Sequence, residues 1–291
     1  MKIIVGTRRS LLAQAQADYV IDRIKNDLGL EAEKLLIETL GDKRLDVTID
    51  KIGGKGVFIK EIEHSLLEGT SHCAVHSMKD MPFELYRDFS LSAIPVREDV
   101  TDAFVGKDGI SFDELPKNAR IGTSSIRRRE IVREVRPDIE VVPVRGNIQT
   151  RIGKIETENL DGVILASSGL IRMDLQHLIT QKFNPEKFIP AVGQGALGVE
   201  TLKDSEYDRE LRKIDDELER MKIEGERSFM RALNGDCHTP IGAYSVYESG
   251  KLYIIGMYEL NGKLVREDIE GNIEDRFGLG EKLAEKILKH E

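Results

Sequence analysis

Short apolar runs, each closed by a glycine, serine, threonine or proline, alternate along this chain with stretches in which apolar residues recur every three or four positions. The short runs read as buried strands and the periodic stretches as helices. Residues 2–5 form the first run, ended by Gly6, and Ser10 is placed to cap a helix beginning at Leu11-Leu12-Ala13. Leu35-Leu36-Ile37 and Cys73-Ala74-Val75 are the next strands. Between them, Phe58, Ile59, Ile62, Leu66 and Leu67 fall on one helical face. After Ile94-Pro95-Val96 the pattern restarts, with strands at 102–105, 119–122, 139–144 and 162–166 and helices between them. Strands alternating with helices predict parallel sheets with right-handed crossovers.

Residues 102–105 read as a strand crossing into a second sheet, and 197–200 as one that rejoins the first. Two sheets completed in this way describe a hinged clamp resembling type II periplasmic binding proteins. From about Asp204 the chain becomes helical and highly charged, which predicts an exposed helix and linker. A helix over 225–233 with the C-cap signature Asn234-Gly235 follows, then a strand over 241–247. A hairpin turning at Asn261-Gly262 and a closing amphipathic helix over 276–289 complete the chain. The expected class is therefore α/β: two doubly wound domains plus a small α+β C-terminal domain. The expected boundaries are 1–97 with 195–218, then 98–194, then 219–291.

Composition narrows the function. With 291 residues the chain is long enough for two or three cores. A net charge of −9 and aromatic residues at only 5%, with no Trp, argue against nucleic acid, which calls for a basic face and stacking platforms. Two distant cysteines, Cys73 and Cys237, make no disulfide framework and fit a reducing cytoplasm. No apolar run is long enough to cross a bilayer, and the N-terminal run is too short for a signal peptide. No membrane and no nucleic-acid partner is expected.

The strand ends carry the candidate chemistry, as expected for ligand sites in open α/β sheets. His76-Ser77-Met78-Lys79-Asp80-Met81-Pro82 follows one strand, and Asp80 is a carboxylate in a chain whose other loops carry arginine: Arg8, Arg9, Arg127, Arg128, Arg129, Arg145, Arg151 and Arg172. If those loops converge, Asp80 is the lone anion in a cationic cleft, free to stabilise developing positive charge. The alternative is a surface Lys79–Asp80 pair. Thr7-Arg8-Arg9-Ser10 offers an anion site at a helix N-terminus or an ordinary capped loop. Ser124-Ser125 before three arginines is more telling: positive charge in a first helical turn opposes the helix dipole unless an anion rests there. Lys51 to Phe58, with Lys55 among its glycines, lacks phosphate-loop spacing and reads as a basic lid or a linker. His72, Cys73 and His76 lie on a strand, whose extended rise holds residues four apart too far from each other to share an ion as they would on a helix, so no metal is expected. Cys73 reads as a small buried hydrophobe, and Cys237, beside His238 in a tight loop, as an accessible thiol.

Seven segments in order then give a family. Gly6-Thr7-Arg8-Arg9-Ser10, Gly53-Gly54-Lys55-Gly56, the 76–82 heptapeptide, Gly122-Thr123-Ser124-Ser125-Ile126-Arg127-Arg128, Arg145-Gly146-Asn147, Pro190-Ala191-Val192-Gly193-Gln194-Gly195-Ala196 and the Cys237 loop together resemble the porphobilinogen deaminases (hydroxymethylbilane synthases) over nearly the whole chain. The resemblance implies a monomeric transferase of tetrapyrrole biosynthesis with a dipyrromethane cofactor in thioether linkage to Cys237. Four porphobilinogen molecules would be joined head to tail with loss of ammonia, and linear hydroxymethylbilane released. It implies that Lys79, Ser125, Arg127, Arg128, Arg145 and Arg151 hold cofactor carboxylates, with Asp42 assisting. Arg8, Ser10, Arg145, Arg172 and Gln194 would line the substrate side. Asp80 would bind pyrrole N–H groups and stabilise an azafulvene-type cation, and Lys51, Lys55 and Phe58 would belong to the lid. Arg9 and His238 stand where the family varies. A non-catalytic anion-binding clamp would keep the arginines but gives no reason for Cys237 or Asp80.

Overall fold

A computed structural model of the chain describes residues 1–38, 60–82, 85–235 and 239–290. Asp42, Lys51, Lys55, Phe58, Cys237 and His238 lie outside the described residues. The chain forms two compact units, Met1–Arg97 with Ala196–Arg220, and Glu98–Gly195 with Met221–Glu291.

The first unit opens with β1 (Lys2–Arg8), α1 (Leu11–Leu28) and β2 (Glu31–Ile37). The Ser10 hydroxyl caps α1 by accepting from the Ala13 N–H, and Gly29 closes it in the left-handed conformation at φ 66°. Then come α2 (Lys60–Leu67), β3 (Cys73–Ser77), a single 3₁₀ turn at Met78–Asp80, and β4 (Phe89–Ala93).

The second unit begins with β5 (Asp102–Gly106), β6 (Arg120–Gly122) and α3 (Ile126–Val135). It continues through β7 (Glu140–Val142), α4 (Ile148–Thr157), β8 (Gly162–Ala166), α5 (Ser167–Arg172) and β9 (Gln181–Lys182). The strand β10 (Leu197–Leu202) returns to the first sheet as expected, followed by α6 (Glu206–Leu211) and α7 (Glu217–Ala232). β11 (Ile241–Glu248), β12 (Lys251–Leu260) and β13 (Lys263–Gly271) form an antiparallel meander covered by α8 (Arg276–Leu288).

The two five-stranded sheets share one plan. The first runs β2-β1-β3-β10-β4 and the second β7-β6-β8-β5-β9. In each, four strands run in one direction and the fifth opposes them: β10 is antiparallel to its neighbours β3 and β4, and β5 to its neighbours β8 and β9. The sheets are thus mixed rather than wholly parallel. The crossing strand of each starts where a parallel strand ends: Leu197 pairs with Ser77, and Asp102 with Ala166. Both crossing strands therefore bring their first residues to the edge where the ligand-binding loops emerge.

The segment after Asp204 departs from its expectation of exposure. Leu211 and Ile214 are buried in the first unit's core with Ile3, Val5, Val20 and Val199, and Asp208, also buried, accepts from the Ser92 hydroxyl at 2.8 Å. Leu211 and Ile214, three apart, with Tyr207 packed against the same core, seat this short and mostly charged segment.

Candidate active site

In the first unit the carboxyl edge of the sheet is held by small polar contacts. The buried Thr7 hydroxyl donates to the Ala13 carbonyl at 3.0 Å, tying the end of β1 to α1 next to Arg8, which is half-buried. Arg9 turns outward to an exposed ion pair with Glu38 at 3.3 Å. On β3, Ser77 accepts from the Gln16 amide at 2.8 Å, and the Met78 N–H donates to the Ala196 carbonyl at 3.0 Å. Met78 and Met81 are both buried, while Asp80 between them is exposed and Lys79 half-buried. The turn therefore has two anchors and presents one carboxylate. Its seat is Gly198 on β10, where a Cβ would lie 2.7 Å from Met78 Sδ and 2.8 Å from Met81 Sδ.

Beneath that turn lies a buried acidic cluster. His76 Nε2 meets Glu200 Oε2 at 2.8 Å, with Glu200 fully buried. Glu63 on α2 is also buried, and desolvation pushes its carboxyl up to about 7, Glu200 adding to the shift and His76 opposing it. His72 accepts the Ile4 N–H at its Nδ1 and stacks on Tyr207 at 4.0 Å. Cys73 is the small buried hydrophobe expected, its thiol pushed by burial up to about 12.

In the second unit the arginines gather on one buried acid. Asp102, the first residue of β5 and 0% exposed, receives Arg127 Nη1 at 2.8 Å on one oxygen. Its other oxygen accepts from Arg128 Nε at 3.0 Å, Arg128 Nη2 at 2.6 Å and the Gln194 amide at 3.0 Å. Burial by itself would raise the Asp102 carboxyl, but Arg127 and Arg128 override it and hold that carboxyl far below the usual range. Arg127 Nη1 also donates to the Ile189 carbonyl at 2.6 Å, and Arg128 Nη1 to the Ile164 carbonyl at 3.0 Å. Ser125 caps α3 by accepting from the Arg128 N–H. One carboxylate against two guanidiniums leaves one positive charge buried at the N-terminus of a helix. An anionic ligand group is what such a cluster accommodates.

The remaining predicted cations line the same sheet edge. Arg145 is exposed just after β7, and Arg151 Nε donates to the neighbouring Gly146 carbonyl at 2.8 Å. Arg172 Nη2 donates to the Gly195 carbonyl at 2.7 Å. Gly195 has φ +88°, and a Cβ there would sit 2.3 Å from the Glu98 carbonyl, so only glycine fits. Gln194 is 1% exposed with its amide turned onto Asp102 and the Val100 carbonyl. Arg129 pairs with Glu130 at 2.7 Å. Lys79, Asp80, Arg8 and Ser10 thus belong to the first unit, and Ser125, Arg127, Arg128, Arg145, Arg151, Arg172 and Gln194 to the second.

Two family models cover nearly all of this chain. Residues 3–210 match one described as "Porphobilinogen deaminase, dipyromethane cofactor binding domain", and residues 221–289 match the C-terminal domain of the same enzymes. The chain belongs to the porphobilinogen deaminase family. It is 54% identical over 288 residues to the porphobilinogen deaminase of Clostridium kluyveri, covering 99% of each chain. It is 53% identical to that of a Clostridium perfringens strain, again over 99% of each. A periplasmic substrate-binding protein of an ABC transporter from Coxiella burnetii is similar at a TM-score of 0.43 and 10% identity, over 76% of this chain and 96% of that one. As a porphobilinogen deaminase family member the chain is a transferase of tetrapyrrole biosynthesis with a dipyrromethane cofactor. The buried residual positive charge on Arg127 and Arg128 fits a cofactor whose rings bear carboxylates.

Sequence reasoning did not single out Asp102, Glu63 or Glu200. The signal for Asp102 was a charged residue heading an otherwise apolar strand, Asp102-Ala103-Phe104-Val105. For Glu200 it was an acid inside the apolar run 197–202.

Proposed function

We propose that this chain is a hydroxymethylbilane synthase, joining four porphobilinogen molecules head to tail on a dipyrromethane attached to Cys237 and releasing the linear tetrapyrrole by hydrolysis. The observation that carries the reading is the Asp102–Arg127–Arg128 cluster, whose net positive charge lies buried at a capped helix N-terminus. Each pyrrole brings an acetate and a propionate, and guanidinium is the partner that stays charged and binds carboxylate in bidentate fashion. Ser125, Arg127, Arg128 and Arg151, with Lys79, hold cofactor carboxylates. Arg8, Ser10 and Arg172 serve the incoming substrate, and the exposed Arg145 serves both. Gln194 contributes by fixing Asp102 and the turn at Gly193–Gly195. Asp42 and the lid residues Lys51, Lys55 and Phe58 keep the assisting roles that the resemblance implies.

When bound, dipyrromethane supplies the free α-carbon on which the chain grows. In each condensation the aminomethyl C–N bond of porphobilinogen would break and ammonia depart, a C–C bond would form between its methylene carbon and that α-carbon, and the α-carbon would lose its proton. Asp80, an exposed carboxylate on an anchored turn, accepts pyrrole N–H bonds and stabilises the positive charge that grows on the substrate as ammonia leaves. A monomer in the cytoplasm suits this reading, since two widely separated cysteines fit a reducing compartment. No helix of the described residues is long and apolar enough to cross a membrane.

Intact mass tests it. The purified protein is expected to exceed its sequence mass by one dipyrrole, and Cys237→Ser to remove the excess. An unmodified wild-type chain, or an excess that survives the substitution, contradicts the reading.

A further inference from the structure

The segment Ile189–Gly195 has two sets of contacts inside the second unit. On one side it holds the anion site: the Ile189 carbonyl accepts from Arg127 Nη1, and the Gln194 amide donates to Asp102. On the other it holds the C-terminal module. The Ala243 N–H of β11 donates to the Pro190 carbonyl at 3.1 Å, and Val192 packs in one core with Phe229, Ile241 and Ala243. The Gly193 N–H donates to Glu226 Oε2 on α7 at 2.9 Å, while Glu226 Oε1 accepts from the Ser245 hydroxyl of β11 at 2.7 Å. Glu226 is 0% exposed, and the chemistry above does not use it. A carboxylate so deeply buried is retained at a desolvation cost, which hydrogen bonds such as these offset.

What those bonds join is the point. α7 ends at Ala232 and β11 begins at Ile241, so they are the two stems that flank Cys237 in the sequence. Both stems rest on the segment that also seats Arg127. Their fit is close: a Cβ on Gly242 would lie 2.6 Å from the Pro190 carbonyl, 3.0 Å from that of Ile189 and 3.2 Å from Arg127 Cδ. We propose that Glu226 is a positioning residue for cofactor attachment, locking the two stems that flank Cys237 in the sequence onto residues 189–193, the segment that also seats Arg127. The inference rests on the reading that Cys237 carries the dipyrromethane.

The test measures cofactor loading in folded monomer isolated by size exclusion. Intact mass gives the fraction loaded and the rate at which the remaining apoprotein gains a dipyrrole from porphobilinogen. Glu226→Ala is expected to load roughly tenfold or more slowly, because a misplaced reacting group forfeits its effective concentration. Glu226→Gln, whose amide can still accept from Gly193 and donate to Ser245, should load within about threefold of wild type on the same grounds. Gly242→Ala, which pushes β11 off its seat, should load as slowly as Glu226→Ala. The control is Gly271→Ala in β13, whose Cβ would meet Leu279 of α8 at 2.7 Å, on elements that carry neither stem. It should lower the melting temperature while loading at the wild-type rate. Normal loading by both Glu226→Ala and Gly242→Ala overturns the inference, as does equal slowing by Gly271→Ala. A mass excess that survives Cys237→Ser instead removes the attachment reading, and the inference with it.

Discussion

At the scale of single residues, the porphobilinogen deaminase site divides its charges by what surrounds them. Asp80 is exposed on a turn whose neighbours Met78 and Met81 are buried, so the carboxylate is positioned by packing and left free to meet a ligand. Asp80→Asn keeps that shape and deletes the charge. Turnover should fall roughly 100-fold or more while KM changes little, the pattern for an interaction made chiefly in the transition state. Undiminished turnover, measured as ammonia or tetrapyrrole release, would take Asp80 out of the mechanism. Arg127→Ala removes one of two guanidiniums from a fully buried acid and leaves Asp102 paired with Arg128 alone. It should also leave most of the purified protein without its dipyrrole by intact mass, whereas a fully loaded variant would contradict the role given to Arg127. Glu63 behaves oppositely to Asp102 because desolvation outweighs the opposing charges of His76 and Lys60. Its carboxyl is raised from 4.5 to about 7, so folding takes up a proton. The stability it contributes is complete below pH 4.5 and lost as pH rises through 7. Glu63→Gln, which mimics the protonated acid, should therefore melt above wild type by roughly 5 °C at pH 8, with the gap closing toward pH 4.5. A constant offset at every pH would assign Glu63 no titrating role.

At the scale of elements, the functional loops leave the carboxyl ends of the parallel strands or enter the crossing strands β5 and β10, and residues near the strand ends do the anchoring. Gly198 shows how closely. A Cβ there would lie 2.7 to 2.8 Å from Met78 Sδ, Met81 Sδ and Leu91 Cδ1, so an added methyl must push aside the two methionine side chains that anchor the turn bearing Asp80. Gly198→Ala should cost about 1–3 kcal/mol of stability, as overpacking does, and lower kcat as well. A destabilised variant with full kcat would mean that the turn does not need this seat. The same elements mark what the sequence made legible. Apolar runs and caps placed β1, β8, β10 and the Ser10 and Ser125 helix starts, because burial and capping are local signals. The direction of β5 and β10 was not legible, since a buried strand reads the same whichever way it runs in the sheet. Nor was the pairing of Arg127 and Arg128 with Asp102. The arginines announced a need for an anion, but the acid that answers it lies 25 residues earlier and meets them only through the β5–β8 register. Gln194 was expected to face substrate, yet a glycine on each side turns it inward.

At the scale of the whole molecule, the net charge is −9, while one positive charge remains buried around Asp102 in the second unit. That charge is unfavourable in a folded chain without an anion beside it and costs nothing once the chain unfolds and water surrounds it. A carboxylate-bearing cofactor attached at Cys237 relieves the cost only in the folded state, so it stabilises by linkage, and its tether keeps the effective concentration high at any dilution. The loaded protein should then melt several degrees above the Cys237→Ser variant, on the order of 5 °C. The margin should narrow little between 0.1 and 1 M salt, because buried pairs are poorly screened. Calorimetry of the two proteins side by side decides the matter. Equal melting temperatures would show that the cluster's charge is already balanced without a cofactor. A margin that vanishes in salt would move the stabilising carboxylate contacts from the buried arginines to exposed ones such as Arg145.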